Sequence, residues 1–177
     1  MKLSWPGFNE KGTVIIGLSP DSFCMAKETI DVHGESFTPK DELHVTLISG
    51  EAGLILQNKI QNNQTINKLV EKTFEEIDWS FRQTGPVHIL SRSEEEVVER
   101  SIILLIEMPG VTAFYDQLKT LGLIDSETPL PPPHVTMYTQ NCPLGIGVPS
   151  NKVLNALSRE TLSVNTLNKL CNSTTME

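Results

Sequence analysis

Hydrophobic and polar positions alternate in some stretches of the chain and recur at helical spacing in others, and the order of the two patterns predicts a mixed fold. Residues 12–18 (GTVIIGL) place Val14, Ile15 and Ile16 between glycines and read as a buried strand. Ser19-Pro20-Asp21 follows as a helix start, with Ser as N-cap, Pro at the first helical position and Asp in the first turn, and predicts a short helix to about Glu28. Residues 31–42 are polar and turn-rich and lead into a strand over 43–49 (LHVTLIS). Helices are expected over about 54–61 and 65–77; in the second, Ile66, Leu69, Val70, Phe74 and Ile77 keep helical spacing. Residues 79–83, 87–91 and 101–108 read as strands, the last two separated by the acidic stretch 94–99. Pro109-Gly110 opens a helix over about 111–121, ended by Gly122. The linker LIDSETPLPPP then reaches a strand over 134–139 (HVTMYT). A loop with Gly145 and Gly147, a helix over about 150–158 and a last strand over 161–165 follow, and 171–177 are expected to be a frayed tail. Strands and helices mixed without strict alternation favour an α+β domain with a largely antiparallel sheet.

Length and composition narrow the function. The 177 residues suit one compact domain over 1–170, or two small lobes sharing a core. An apolar content of 38% excludes disorder throughout. The net charge of −8 argues against duplex DNA as a partner, since such binding needs a basic stripe to neutralise phosphates. The longest apolar stretch, 102–106, is strand-sized, so no membrane partner is expected. The first residues lack the apolar core of a signal peptide, and Cys24, Cys142 and Cys171 are widely spaced without a CxxC. Both features favour a reduced, cytoplasmic location.

The chemistry lies in a repeated tripeptide. His44-Val45-Thr46 and His134-Val135-Thr136 stand on two different predicted strands. Residues i and i+2 of a strand share a face, so each His points with its Thr and each Val points away. If the two strands face one cleft, it holds two imidazoles and two hydroxyls. One imidazole can take a proton from water or a ribose hydroxyl while the other protonates the departing oxygen, because histidine titrates near neutrality. The hydroxyls can donate to non-bridging phosphate oxygens. Nothing in this set requires a metal.

The paired motifs resemble those of the two-histidine (2H) phosphoesterase superfamily, over roughly residues 12–165. The resemblance implies a bilobal fold, with two largely antiparallel sheets related by a pseudo-twofold around a central cleft and helices outside. It implies a phosphodiesterase that needs no metal and no cofactor. The substrate would be a 2′,3′-cyclic phosphate, at an RNA end or on a nucleotide, or a small 2′-5′-linked or cyclic oligonucleotide. His44 and His134 would be the acid–base pair and Thr46 and Thr136 the phosphate-holding hydroxyls, with His134 as base and His44 as acid. Sparse basic residues favour a small nucleotide over long RNA, and the chain is expected to act as a monomer. A nucleotide-binding module without turnover, or an accidental repeat, are the alternatives.

A base needs an apolar or aromatic platform. Tyr138, two residues beyond Thr136, extends the motif face by strand alternation, and Trp5 precedes the first strand and can fold over the cleft. Phe8, Phe37 and Tyr115 are further aromatic candidates. Lys11, Lys40, Arg82 and Arg92 are possible phosphate partners that read first as solvated surface. His33 and His88 lack a Thr at +2 and read as structural.

Overall fold

The computed structural model describes residues 1–173, with side chains through Lys169. The elements run β1 (Val14–Leu18), a 3-10 turn (Pro20–Ser22), β2 (Ile30–Val32), β3 (Glu35–Pro39), β4 (Leu43–Ile48), α1 (Gly50–Gln61) and α2 (Gln64–Glu76). They continue with β5 (Val87–Glu94), β6 (Val97–Leu105), α3 (Pro109–Thr120), β7 (His134–Gln140), α4 (Asn151–Leu157), β8 (Ser158–Leu162) and α5 (Val164–Ser173). The result is an α+β fold with two antiparallel sheets. One is the pair β1-β4; the other has six strands in the order β2-β3-β7-β6-β5-β8 and curls into a half-barrel. The curl brings the two outer strands near each other. His33, in the turn after β2, reaches Glu160 of β8 at 3.2 Å, and α5, which follows β8, packs on β2.

One core joins the sheets. Ile16, Leu43, Val45 and Leu47 of the small sheet pack with Phe74, Phe114, Ile102, Leu104 and Val135 into a single buried cluster. A second, smaller cluster (Leu90, Ile103, Cys142, Ile146, Val148, Leu154) covers the opposite face of the large sheet. Each such aliphatic or aromatic side chain contributes about 1.5–3 kcal/mol on burial, which is why two-sided strands such as 102–104 are apolar throughout.

The predicted order of elements is largely present, with five differences. The helix expected to Glu28 is a single 3-10 turn: Phe23 leaves helical backbone (φ −126, ψ 143) and stacks on Phe81, with ring centroids 5.8 Å apart. One tertiary contact outweighs a helix nucleus only a turn long. Of residues 31–42, only 40–42 are connecting loop; 31–39 belong to a hairpin. Ile30, Val32 and Phe37 are buried on one face of this hairpin, whose two-residue turn, His33-Gly34, has φ of 55 and 79. Positive φ at both positions is the turn geometry that matches strand twist, so Val-His-Gly-Glu was the available signal. Residues 79–83 form only the Arg82–Glu107 bridge, and the last strand lies at Ser158–Leu162. Of the tail expected at 171–177, residues 171–173 close α5 and 174–177 lie outside the described residues. Among the described residues no helix is long and apolar enough to cross a membrane.

Candidate functional site

β4 and β7 belong to different sheets and pack against each other. On β4, Leu43, Val45 and Leu47 are buried, while His44 and Thr46 between them stay half-buried. On β7, Val135 is buried in the core and Thr136 is half-buried on the other face. Both strands break register at the same place. Ile15 of β1 pairs Thr46 but Val14 pairs Ile48, so Leu47 is an extra residue. Ile103 of β6 pairs Thr136 but Ile102 pairs Tyr138, so Met137 is an extra residue. A bulge inverts the alternation of side chains beyond it. In each strand the polar face therefore ends at Thr, and the next two residues (Leu47 and Ile48, Met137 and Tyr138) are both buried.

The four motif side chains line one cleft of about 1280 Å³. That exceeds the 300–1,000 Å³ common for small-ligand sites. The walls also include the turn before β1 from Asn9 to Thr13, the first turn of α1, the strap before β7 from Ile124 to Pro131, and the loop 144–149. α1 comes close because Gly53 lies against the turn before β1; a Cβ there would sit 2.1 Å from the Gly12 carbonyl oxygen. Lys59 at the far end of α1 donates to the carbonyls of Gly122 and Leu123 at 2.9 and 3.0 Å, tying the helix to the base of the strap.

The two histidines are held differently. His134 is 8% exposed, and its Nδ1 lies 2.8 Å from the Pro132 carbonyl. A carbonyl only accepts, so Nδ1 carries the proton and Nε2 is left with its lone pair. The proline run explains the partner. Prolines have no N–H to bond their own neighbourhood, and their carbonyls are free to accept; Pro133 takes the Ile106 N–H at 3.0 Å and Pro132 takes His134. Nδ1 of His44 is buried and has no hydrogen-bond partner among the described residues. Burial pushes the pKa of both imidazoles below the ordinary histidine value. For His44, Glu42 opposes the shift and Lys40 adds to it. For His134, the Pro132 carbonyl opposes it and the charge of His44 adds to it, which places the two rings within electrostatic reach.

Thr136 is fixed from outside its own strand. Gly145 stands against it at φ +84, where a Cβ would meet Thr136 Cγ2 at 3.0 Å and Oγ1 at 3.3 Å. The loop carrying Gly145 is anchored on both sides. The Ile146 N–H donates to the buried Ser101 hydroxyl at 3.0 Å, and Lys40 Nζ donates to the Pro143 carbonyl at 2.7 Å. Gly145→Ala is therefore expected to lower kcat/KM on any phosphodiester turned over in this cleft by about 10- to 100-fold, by displacing the Thr136 hydroxyl. Thr136→Ser lacks Cγ2, so the double variant should recover at least part of the loss. Kinetics of the two single variants and the double one check this; a double variant no better than Gly145→Ala would leave backbone strain at Gly145 as the cause.

His44, Thr46, His134 and Thr136 are thus brought together as the repeat predicted. Tyr138 and Trp5 are not part of the cleft. Tyr138 is 0% exposed in the core, because the bulge at Met137 turns it away from the Thr136 face; its hydroxyl accepts the Ala26 N–H at 2.8 Å. Trp5 packs on Phe8, Phe74 and Phe114, with ring centroids 5.2–6.1 Å apart, because the first residues lie along the helices; the Trp79 N–H donates to the Met1 carbonyl at 2.8 Å. Tyr115 is the aromatic that lines the cleft, and burial pushes its hydroxyl pKa up. Lys11, Lys40 and Arg92 line it too, whereas Arg82 pairs with Glu107 on the surface. Arg92 is held by Glu94 and Glu99.

The sequence reading took the strap for a plain linker and the loop 144–147 first for a plain turn, with glycines that could let backbone approach a ligand; both line the cleft, and Leu144 is 76% exposed at its wall. The turn is closed by the Gly145 N–H donating to the Cys142 carbonyl at 2.8 Å. Among the described residues no three His, Cys, Asp or Glu side chains are grouped to hold a metal ion. Compared with family models, curated proteins and solved structures, the chain matches none.

Proposed function

We propose that the chain is a two-histidine phosphoesterase, with a pseudo-twofold relating the β4 and β7 halves, that hydrolyses a phosphodiester of a small nucleotide. The observation that carries the reading is the convergence of both His-x-Thr faces on one cleft, each ended by a bulge one residue past its Thr. Binding alone has no use for two titrating rings in electrostatic reach of each other.

The asymmetry of the histidines supports distinct roles. His134, neutral with Nδ1–H on Pro132, takes a proton from water at Nε2 as the water oxygen bonds to phosphorus. The Pro132 carbonyl stabilises the imidazolium that results, as an orienting acceptor does in other acid–base sites. His44 enters as imidazolium. Among the described residues its Nδ1 has no partner to stabilise the imidazolium, so the ring gives up a proton readily, and it protonates the ribose oxygen as the P–O bond breaks. Thr46 and Thr136 donate to the non-bridging oxygens. Solvent then returns the proton from His134 to His44.

Five carboxylates (Glu10, Glu42, Glu51, Asp125, Glu127) face the cleft against three cations, which disfavours a long polyanion and supports a small substrate. The test is turnover, with EDTA present, of a panel of nucleoside 2′,3′-cyclic monophosphates, 3′,5′-cyclic nucleotides, 2′-5′ oligoadenylate and mixed-linkage cyclic dinucleotides. Hydrolysis of one of these class members is expected. Nucleotide binding without hydrolysis of any would replace this reading with that of a binding module.

The pH dependence has a definite sign. The productive state needs His44 protonated and His134 neutral, and burial lowers both values. The optimum of kcat/KM should lie on the acid side of about 6.5, with activity falling as pH rises through neutrality. Folding stability runs the other way. The fold favours neutral rings, so their contribution is complete above about pH 6.5 and is lost as pH falls through the lowered values. A profile that climbs from pH 6 to pH 9 would contradict the role given to His44.

A further inference from the structure

We propose that Lys40, resting on the phosphodiesterase reading of the same cleft, supplies the positive charge that faces the phosphate in the transition state. Attack on a phosphodiester adds negative charge to the phosphoryl oxygens. The threonine hydroxyls answer with dipoles, and the one imidazolium gives its proton to the leaving oxygen. A cation that stays charged throughout is the missing component, and an ammonium or guanidinium in a half-buried cleft is worth more than in water.

Three cations line the cleft, and two are unsuited. Arg92 is held by Glu94 and Glu99 at 3.3 and 2.5 Å, and Lys11 is exposed. Lys40 is half-buried, and no carboxylate of the described residues forms an ion pair with it. Its position joins both halves of the site. Its backbone N–H donates at 2.8 Å to the carbonyl of Met137, the bulge residue after Thr136. Its side chain lines the same cleft as His44, four residues along, and its charge is felt by that ring. Nζ donates to the Pro143 carbonyl at 2.7 Å, which fixes the ammonium beside the loop that holds Thr136. An ammonium has three donors, so two remain for phosphate oxygens.

The competing role is a strut that only anchors the loop through Pro143. Lys40→Met and Lys40→Arg, compared with wild type on the best panel substrate in EDTA, separate the two. Lys40→Met is expected to lower kcat by about 100-fold with KM changed by less than about threefold, because the charge matters most where charge develops. Lys40→Arg should stay within about tenfold of wild type. The charged groups facing His44 are Lys40, Glu42 and, from β7, His134. Removing the cation raises the His44 pKa, so the falling alkaline limb of the profile should move to higher pH in Lys40→Met alone.

Lys40→Met activity within about threefold of wild type would overturn the proposal. So would equal losses in both variants with an unmoved alkaline limb and a lowered melting temperature, which is the strut. If wild-type protein hydrolyses nothing in the panel, the phosphodiesterase reading fails and takes this one with it. Wild-type turnover with an indifferent Lys40→Met removes this inference and leaves that reading standing.

Discussion

His134→Ala is expected to abolish measurable hydrolysis of a nucleoside 2′,3′-cyclic phosphate, with kcat/KM down by about 10³-fold or more, and to do equally badly on an aryl phosphodiester. In the proposed mechanism the base activates water, and that need does not depend on the leaving group. His44→Ala should fall by a similar factor on the cyclic phosphate but by only about tenfold on a p-nitrophenyl ester, whose phenolate departs without a proton. The two substrates therefore read out the two roles. The geometry behind the expectation is the difference at Nδ1: an acceptor at 2.8 Å for His134, and no partner among the described residues for His44. If the aryl ester rescued His134→Ala instead, the roles would be reversed. If neither variant lost activity, the site would lie elsewhere.

Tyr138→Ala should cost about 3–5 kcal/mol of folding stability while leaving kcat/KM per folded molecule near wild type. The ring is fully buried and pairs with Ile102 inside the main core, so truncation opens a cavity rather than a platform. Tyr138→Phe keeps the ring and removes the hydroxyl that accepts the Ala26 N–H, a change of about 1–3 kcal/mol. Urea unfolding, alongside turnover corrected for the folded fraction, checks both. A Tyr138→Ala protein of wild-type stability with a raised KM would return this residue to the cleft.

Tyr138 also marks where reading the chain stops being enough. The alternation rule that correctly puts His134 with Thr136 puts Tyr138 with them as well, and it fails one residue later because Met137 bulges. A bulge has no reliable local signature: it is set by how β6 registers against β7, and that register depends on residues more than thirty positions away. The cations are a second case. Lys40 and Arg92 read as possible phosphate partners but first as solvated surface residues, and nothing near them in the chain says that a cleft closes around them. Trp5 was a matter of where a terminal segment lies, which the aromatic cluster of α2 and α3 decides.

Taken alone, the sequence determined the elements with strong local periodicity and the pairing of His with Thr on each strand. Alternation within a strand is a property of the backbone and needs no partner. It also determined that the net charge is acidic, which carries through to a cleft with more carboxylates than cations. Tertiary structure decided everything that depends on two distant segments meeting. It brought β4 against β7, set the bulges that end the polar face at each Thr, gave His134 a carbonyl and His44 none among the described residues, and turned Lys40 into a cleft residue. Those features follow from packing and register between segments far apart in the chain, where each strand's environment is made by residues its own sequence does not contain.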